Sequence, residues 1–61
     1  MRTNELIKLL SQYGVICERH GGNHDWYYSP ITDQHFPVGR HAKEIPSGTV
    51  SSILKKAGIK L

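Results

Sequence analysis

The feature that most constrains the fold is the lack of a covalent cross-link in a very short chain. The 61 residues include a single cysteine, Cys17, so no disulfide can form within the chain. A domain of this size buries only about 60% of the surface that its unfolded chain exposes. Its stability must therefore come from one small hydrophobic core built by short, regularly patterned elements. We expect a single domain over residues 1–61.

Apolar residues recur with helical spacing at both ends of the chain and predict two amphipathic helices. The first covers residues 3–13 and ends at Gly14, and the second follows Pro46 and ends at Gly58. Their apolar faces comprise Leu6, Ile7, Leu10 and Tyr13, then Val50, Ile53, Leu54 and Ala57. The side chains expected to cap the two helix starts are Thr3 or Asn4, and Ser47 or Thr49.

The middle of the chain predicts three short strands joined by tight turns. β-Branched and aromatic residues favour strands at 15–20, 24–29 and 35–38. Glycine, proline and polar residues between them are typical of turns. Pro37 is expected on an edge strand, because proline has no N–H to donate to a neighbouring strand.

The element order α-β-β-β-α predicts an α+β fold. Short turns favour a three-stranded antiparallel sheet, with both helices on one face and the other face open to water. This arrangement resembles the double-stranded-RNA-binding fold. A fold by itself does not define a function.

Composition narrows the environments in which the chain is expected. No apolar run approaches the ~18 residues of a membrane span, and no signal-peptide core follows Met1. A lone cysteine is typical of a reducing compartment. We therefore expect a cytoplasmic protein with no membrane association. The net charge of +3 suits a polyanionic partner.

Four histidines and a cysteine raise the possibility of a metal site. Cys17, His20 and His24 form a C-x2-H-x3-H run, whereas structural zinc sites normally use paired ligands on two knuckles. Strand alternation also predicts that Cys17 and His20 point to opposite faces. We expect no metal and no cofactor, with Cys17 as a small buried hydrophobic residue.

The stretch GGNHDWYY places His24 at the start of a strand, directly after a glycine turn. Alternation puts it on the same face as Trp26 and Tyr28, which are too large to leave in water, so it can be a packed histidine at the rim of the core. It can equally be a general acid or base, since an imidazole exchanges protons near neutral pH. Gly21 and Gly22 permit either a close approach of substrate or a positive φ. The residues alone leave both interpretations open.

A basic segment separates the third strand from the second helix. Arg40, His41 and Lys43 are candidates for contacts with phosphate. The free N–H groups at the start of the second helix are a further candidate. Such a segment is a weak signal by itself.

Three stretches in this order and at this spacing resemble the HicA family of toxin–antitoxin ribonucleases, over nearly the whole chain. They are GGNHDWYY, HFPVGRHAKEI and GTVSSILKKAGI. One difference is Gly39, which stands before Arg40 and His41 where the family often has proline.

The resemblance implies an endoribonuclease of double-stranded-RNA-binding-like fold that cleaves messenger RNA and is neutralised by a HicB-type antitoxin. It implies that His24, which matches the histidine of the family's Gly-x-His motif, is catalytic. We expect RNA cleavage without a metal, and a monomer when no antitoxin is bound. The residues expected to bind RNA are Gly22, Asn23, Arg40, His41 and Lys43.

Two other functions stay open at this point. One is a non-catalytic RNA-binding module in which His24 is structural, and the other is a partner-binding protein that uses an exposed sheet edge. A second proton-transfer group is not evident. His41 is a candidate, whereas Asp25 and Tyr27 are disfavoured because alternation points them away from His24.

Overall fold

A computed structural model describes residues 1–39 and 43–60. The predicted site residues Arg40 and His41 lie outside the described residues. The elements are α1 (Thr3–Gln12), β1 (Ile16–His20), β2 (His24–Ser29), β3 (Gln34–Gly39) and α2 (Ser47–Ala57). The predicted α+β order is confirmed. Neither helix has the length and apolar character needed to cross a membrane, within the part of the chain described.

The three strands form one antiparallel sheet in the order β1-β2-β3. β2 is central, and β1 and β3 are the two edges. Pro37 lies on β3 opposite Trp26, so the prediction that this proline occupies an edge strand is confirmed. All five residues of β1 are exposed.

Both helices pack on one face of the sheet. Burial along β2 alternates, with Asp25, Tyr27 and Ser29 buried. The prediction that Trp26 and Tyr28 are too large to leave outside the core is wrong. Both lie half-buried on the open face of the sheet. The core comprises Leu6, Leu10, Val15, Tyr27, Phe36, Val38, Ile45, Val50, Ile53, Ala57 and Ile59.

Neighbouring side chains explain why two large aromatic residues are tolerated on the open face. The Arg19 guanidinium lies 5.7 Å from the centroid of the Trp26 ring, and the rings of Tyr28 and His35 have centroids 5.0 Å apart. These contacts cover part of each ring without a helix. A cation over an indole face is also attracted to it electrostatically.

β1 contains a bulge that changes which side chains share a face. Cys17 pairs with Tyr27 and Arg19 pairs with Trp26, so β1 has one residue more than β2 over this interval. The extra residue, Glu18, reaches the open face beside Arg19, where its carboxylate lies 2.5 Å from the Nδ1 of His35. A bulge of this kind shifts the alternation of the strand that carries it.

Two predictions about Cys17 are therefore wrong. The bulge places Cys17 and His20 on the same face, opposite Tyr27 and Asp25 respectively, and not on opposite faces. Cys17 is also exposed and not buried, because it lies on an edge strand that the helices leave uncovered.

The helices begin and end partly as predicted. Gly14 (φ 82°) and Gly58 (φ 79°) both adopt the left-handed conformation expected where a helix ends. Tyr13 is the C-cap of α1 and is exposed, not part of the core. The predicted side-chain caps are absent: the N-cap residues are Arg2 and Pro46, and neither makes a side-chain capping hydrogen bond.

Backbone pairing replaces a cap at the start of α1. The N–H of Thr3 donates to the carbonyl of Lys43 (3.1 Å), and the N–H of Ile45 donates to the carbonyl of Met1 (2.8 Å). The first residues of the chain thus form a short antiparallel pairing with the segment before α2.

Two side-chain hydrogen bonds fix the end of α2 against the sheet. The buried hydroxyl of Ser29 donates to the carbonyl of Ala57 (2.6 Å), and the hydroxyl of Thr32 donates to the carbonyl of Lys56. A buried hydroxyl that donates to a helix carbonyl stabilises the fold and also fixes the position of the helix end. These bonds hold the last turn of α2 in place relative to β2.

Candidate functional site

The hairpin between β1 and β2 holds the backbone of His24 in place. The N–H of Gly21 donates to the carbonyl of His24 (2.9 Å), so His24 begins β2 directly after a closed loop. Its side chain is exposed. The interpretation of His24 as a histidine packed at the rim of the core is therefore not supported.

Gly21 lacks a side chain and therefore allows two backbone segments to approach each other closely. A Cβ at Gly21 would lie 2.5 Å from the carbonyl oxygen of His24, whereas a Cβ at Gly22 would meet nothing within 4 Å. Among the described glycines, positive φ angles occur at Gly14 and Gly58. The suggestion that the hairpin glycines supply positive φ is therefore wrong for both.

His24 lines a groove of about 370 Å³ between β3 and α2. The β3 side of the groove includes Phe36 and Gly39. The α2 side presents three polar residues at helical spacing, Thr49, Ser52 and Lys56. With Glu44 at its margin, the groove therefore combines one histidine, two hydroxyls, one ammonium group and one carboxylate with several apolar lining residues.

A second, shallow depression adjoins the groove and shares His24 and Pro37 with it. It is lined by Gly21, Gly22, Asn23, His24, Trp26 and Pro37. Two of the predicted RNA-binding residues, Gly22 and Asn23, are thus brought together with the predicted catalytic residue. His24 lines both surfaces.

Lys43, another predicted contact, does not line the groove or the depression. The side chain of Lys43 is exposed and lines a separate groove with Arg2 and Asn4. The positions of Arg40 and His41 fall outside the described residues. The lysine that does line the groove with His24 is Lys56, which the sequence analysis did not select.

Asp25 and Tyr27 have other roles than proton transfer with His24. Both are buried on the helix-facing side of β2, whereas the sequence predicted Trp26 and Tyr28 on the side of the core. The Oδ1 of Asp25 lies 3.0 Å from the Nδ1 of His20, which is a hydrogen-bonding distance. Burial raises the pKa of Tyr27 above its ordinary value, and the nearby Cys17 and Asp25 raise it further. Its phenol therefore keeps its proton at neutral pH.

The sequence indicated the groove residues on α2 only weakly. Thr49, Ser52 and Lys56 recur at intervals of three and four residues, which places them on one helix face. The same pattern describes any solvated helix surface. What distinguishes this face is the placement of α2 beside β3.

Comparison with known protein families identifies the chain. The family model described as "HicA toxin of bacterial toxin-antitoxin" matches residues 3–59. This chain belongs to the HicA toxin family. The match begins at the first residue of α1 and runs past the end of α2, so it includes all five elements of the fold. No curated protein and no solved structure matches the chain.

Membership gives this HicA toxin a general role. It is the toxin of a toxin–antitoxin system and therefore has an antitoxin partner.

The two hairpin glycines provide a matched test of how His24 is positioned. We expect Gly21→Ala to lower the free energy of unfolding by about 1–3 kcal/mol, because the new methyl group displaces the carbonyl of His24. Gly22→Ala should change it by less than about 0.5 kcal/mol. Urea denaturation followed by Trp26 fluorescence measures both. Equal stabilities for the two variants would show that the close approach does not constrain the hairpin.

Proposed function

We propose that this HicA toxin is an endoribonuclease that cleaves messenger RNA, with His24 as its catalytic residue. The observation that carries the proposal is the place of His24, where the polar groove and the shallow depression meet. A strand that follows both surfaces passes the imidazole. The hairpin hydrogen bond holds the backbone of His24 while its side chain stays accessible to a substrate.

The reaction uses the RNA's own nucleophile. His24 takes the proton of a 2′-hydroxyl, and that oxygen attacks the adjacent phosphorus. The bond from phosphorus to the 5′-oxygen breaks, leaving a 2′,3′-cyclic phosphate and a 5′-hydroxyl that has received a proton. A positioned imidazole contributes typically 10²–10⁴-fold to such a rate. His41 is our candidate for the group that protonates the leaving oxygen.

Positive charge is needed where the phosphorus becomes five-coordinate and gains negative charge. Lys56 lines the same groove as His24 and is the described residue best placed for this role. Arg40, His41 and Lys43 remain candidates on sequence grounds. Gly22 has open space where a side chain would be, so a sugar–phosphate backbone can approach Gly22 and Asn23 closely.

We further propose that the antitoxin is of HicB type and covers His24. The chain carries a net charge of +3, and both surfaces around His24 are open. An acidic partner that occupies them excludes RNA and binds faster at low salt. Such a pair would act in the cytoplasm, where messenger RNA is available.

One observation favours a non-catalytic alternative, an RNA-binding module. Trp26 lies half-buried on the open face beside His24, with Arg19 over its ring. Aromatic side chains of this kind stack on bases without regard to catalysis. RNA binding without cleavage by the wild-type protein would support this function over the nuclease.

Replacement of the catalytic histidine gives the direct test. We expect His24→Ala to lower the rate of cleavage of a labelled single-stranded RNA by about 10²–10⁴-fold, because the general base is lost. Its urea midpoint should match the wild type, since the side chain is exposed. His35→Ala is the control: it removes another exposed histidine, from β3, and should cleave at the wild-type rate. Undiminished cleavage by nuclease-free His24→Ala protein contradicts the proposal.

Two neighbouring lysines separate a specific phosphate contact from general charge. Lys56 lines the groove with His24, whereas Lys55 lines a different surface with Ser51 and Leu54. We expect Lys56→Ala to weaken binding of a 2′-O-methyl RNA, which cannot be cleaved, and to reduce the slope of log affinity against log salt by about 0.7.

Lys55→Ala should change affinity and slope much less. Both lysines lie in the last turn of α2, so their effects on helix stability are alike. Fluorescence anisotropy over a series of salt concentrations measures binding. Equal losses for the two variants would remove Lys56 from the site.

A further inference from the structure

A second group of chemically active side chains lies outside the groove and the depression that His24 lines. Cys17, His20 and Asp25 each offer one ligand atom, and these atoms all lie within 4.8 Å of one another. The Nδ1 of His20 is 3.0 Å from the Oδ1 of Asp25. The proposed ribonuclease activity does not use any of the three residues.

The β1 bulge is what brings these residues together. Without it, Cys17 and His20 would alternate to opposite faces. With it, they lie opposite Tyr27 and Asp25, two residues of β2 that share the helix-facing side. The bulge also turns Glu18 and Arg19 to the open face, where they contact His35 and Trp26. The nearest cationic side chain in β1 is thus drawn away from the group.

We propose that Cys17, His20 and Asp25 bind a divalent transition-metal ion, with Zn²⁺ as the best match. A thiolate, an imidazole and a carboxylate are all zinc ligands, and three protein ligands leave a fourth position for water. The thiolate and the carboxylate together balance the 2+ charge of the ion. Calcium and magnesium, which require oxygen ligands, do not suit this set.

The geometry needs only a small adjustment for such an ion. Zinc bonds of ~2.0–2.3 Å in a tetrahedral arrangement separate neighbouring ligand atoms by roughly 3.3–3.7 Å. The His20–Asp25 distance is already slightly shorter than this. Cys17 is exposed on an edge strand, and its thiol donates a long hydrogen bond of 3.7 Å to the carbonyl of Arg19, a bond that metal binding would replace.

Two of the three ligands are held in place before an ion arrives. The Asp25 side chain is only 10% exposed, and it fixes the orientation of the more exposed His20 ring. Tyr27 is paired with Cys17 across the two strands, and its phenol lies near Cys17 and Asp25. A neutral O–H next to the ligands can donate a hydrogen bond to them, as partners of metal ligands commonly do.

An ion here would link β1 to β2 across the bulge. This chain has no disulfide, and β1 is an edge strand that the helices leave uncovered. A metal that binds only the folded protein stabilises it by mass action. The inference does not depend on the proposed function, because none of the ligands lines the groove or the depression at His24.

Cobalt and zinc titrations of the untagged, fully reduced, metal-free protein test the proposal. We expect one equivalent of Co²⁺ to produce a thiolate-to-metal absorption band in the near ultraviolet, and Zn²⁺ to displace it while raising the melting temperature. Cys17→Ser should abolish the band and weaken zinc binding by at least about 100-fold, beyond what loss of an outer partner costs. His20→Gln should weaken binding comparably.

His35→Gln is the matched control, because His35 also pairs with a carboxylate, that of Glu18, but has no thiol. It should bind both metals as the wild type does, and so should His24→Ala. Absence of a saturable thiolate band in the wild-type protein overturns the proposal. So does one-to-one zinc binding that survives both Cys17→Ser and His20→Gln.

Discussion

β2 is hydrogen-bonded on both sides, to β1 and to β3, and this double pairing determines which of its side chains reach the core. Asp25, Tyr27 and Ser29 face the helices, so Trp26 and Tyr28 face the other way. Ser29 then binds the carbonyl of Ala57 and fixes the end of α2. The groove beside β3 exists because α2 is held in this position.

Local chemistry made much of the fold predictable from the sequence. Gly14 and Gly58 end the helices because only glycine adopts a left-handed conformation without strain, and both do so here. Pro37 indicated an edge strand because it lacks an N–H. The start and end of β2, at His24 and Ser29, also agree with the prediction.

The features that could not be predicted depend on contacts between distant residues. The β1 bulge is supported by Glu18 with His35 and by Arg19 with Trp26, and no glycine marks its position. The face of β2 that reaches the core was ambiguous, because positions 26, 27 and 28 are all aromatic. The start of α1 is held by backbone pairing with Lys43, which a search for capping side chains does not detect.

The candidate site was also predictable only where it depends on local sequence. His24 was selected from a short motif, and the hairpin explains why a histidine there is accessible. Lys56 was missed because its role depends on where α2 lies relative to β3. Lys43 was selected for its charge, but it lines a different groove. A position near a basic segment of the sequence is thus weaker evidence for a place in the candidate site than a surface shared with His24.

The central claim is that RNA binds where the groove and the shallow depression meet at His24. The most direct measurement is an NMR titration of the isotope-labelled toxin with a 2′-O-methyl RNA, following the histidine ring signals and the backbone amides. Our account predicts that the ring of His24 and the amides of Asn23, Ser52 and Lys56 shift together, while the rings of His20 and His35 do not. Shifts confined to His35, Trp26 and Arg19, with His24 unchanged, would contradict it.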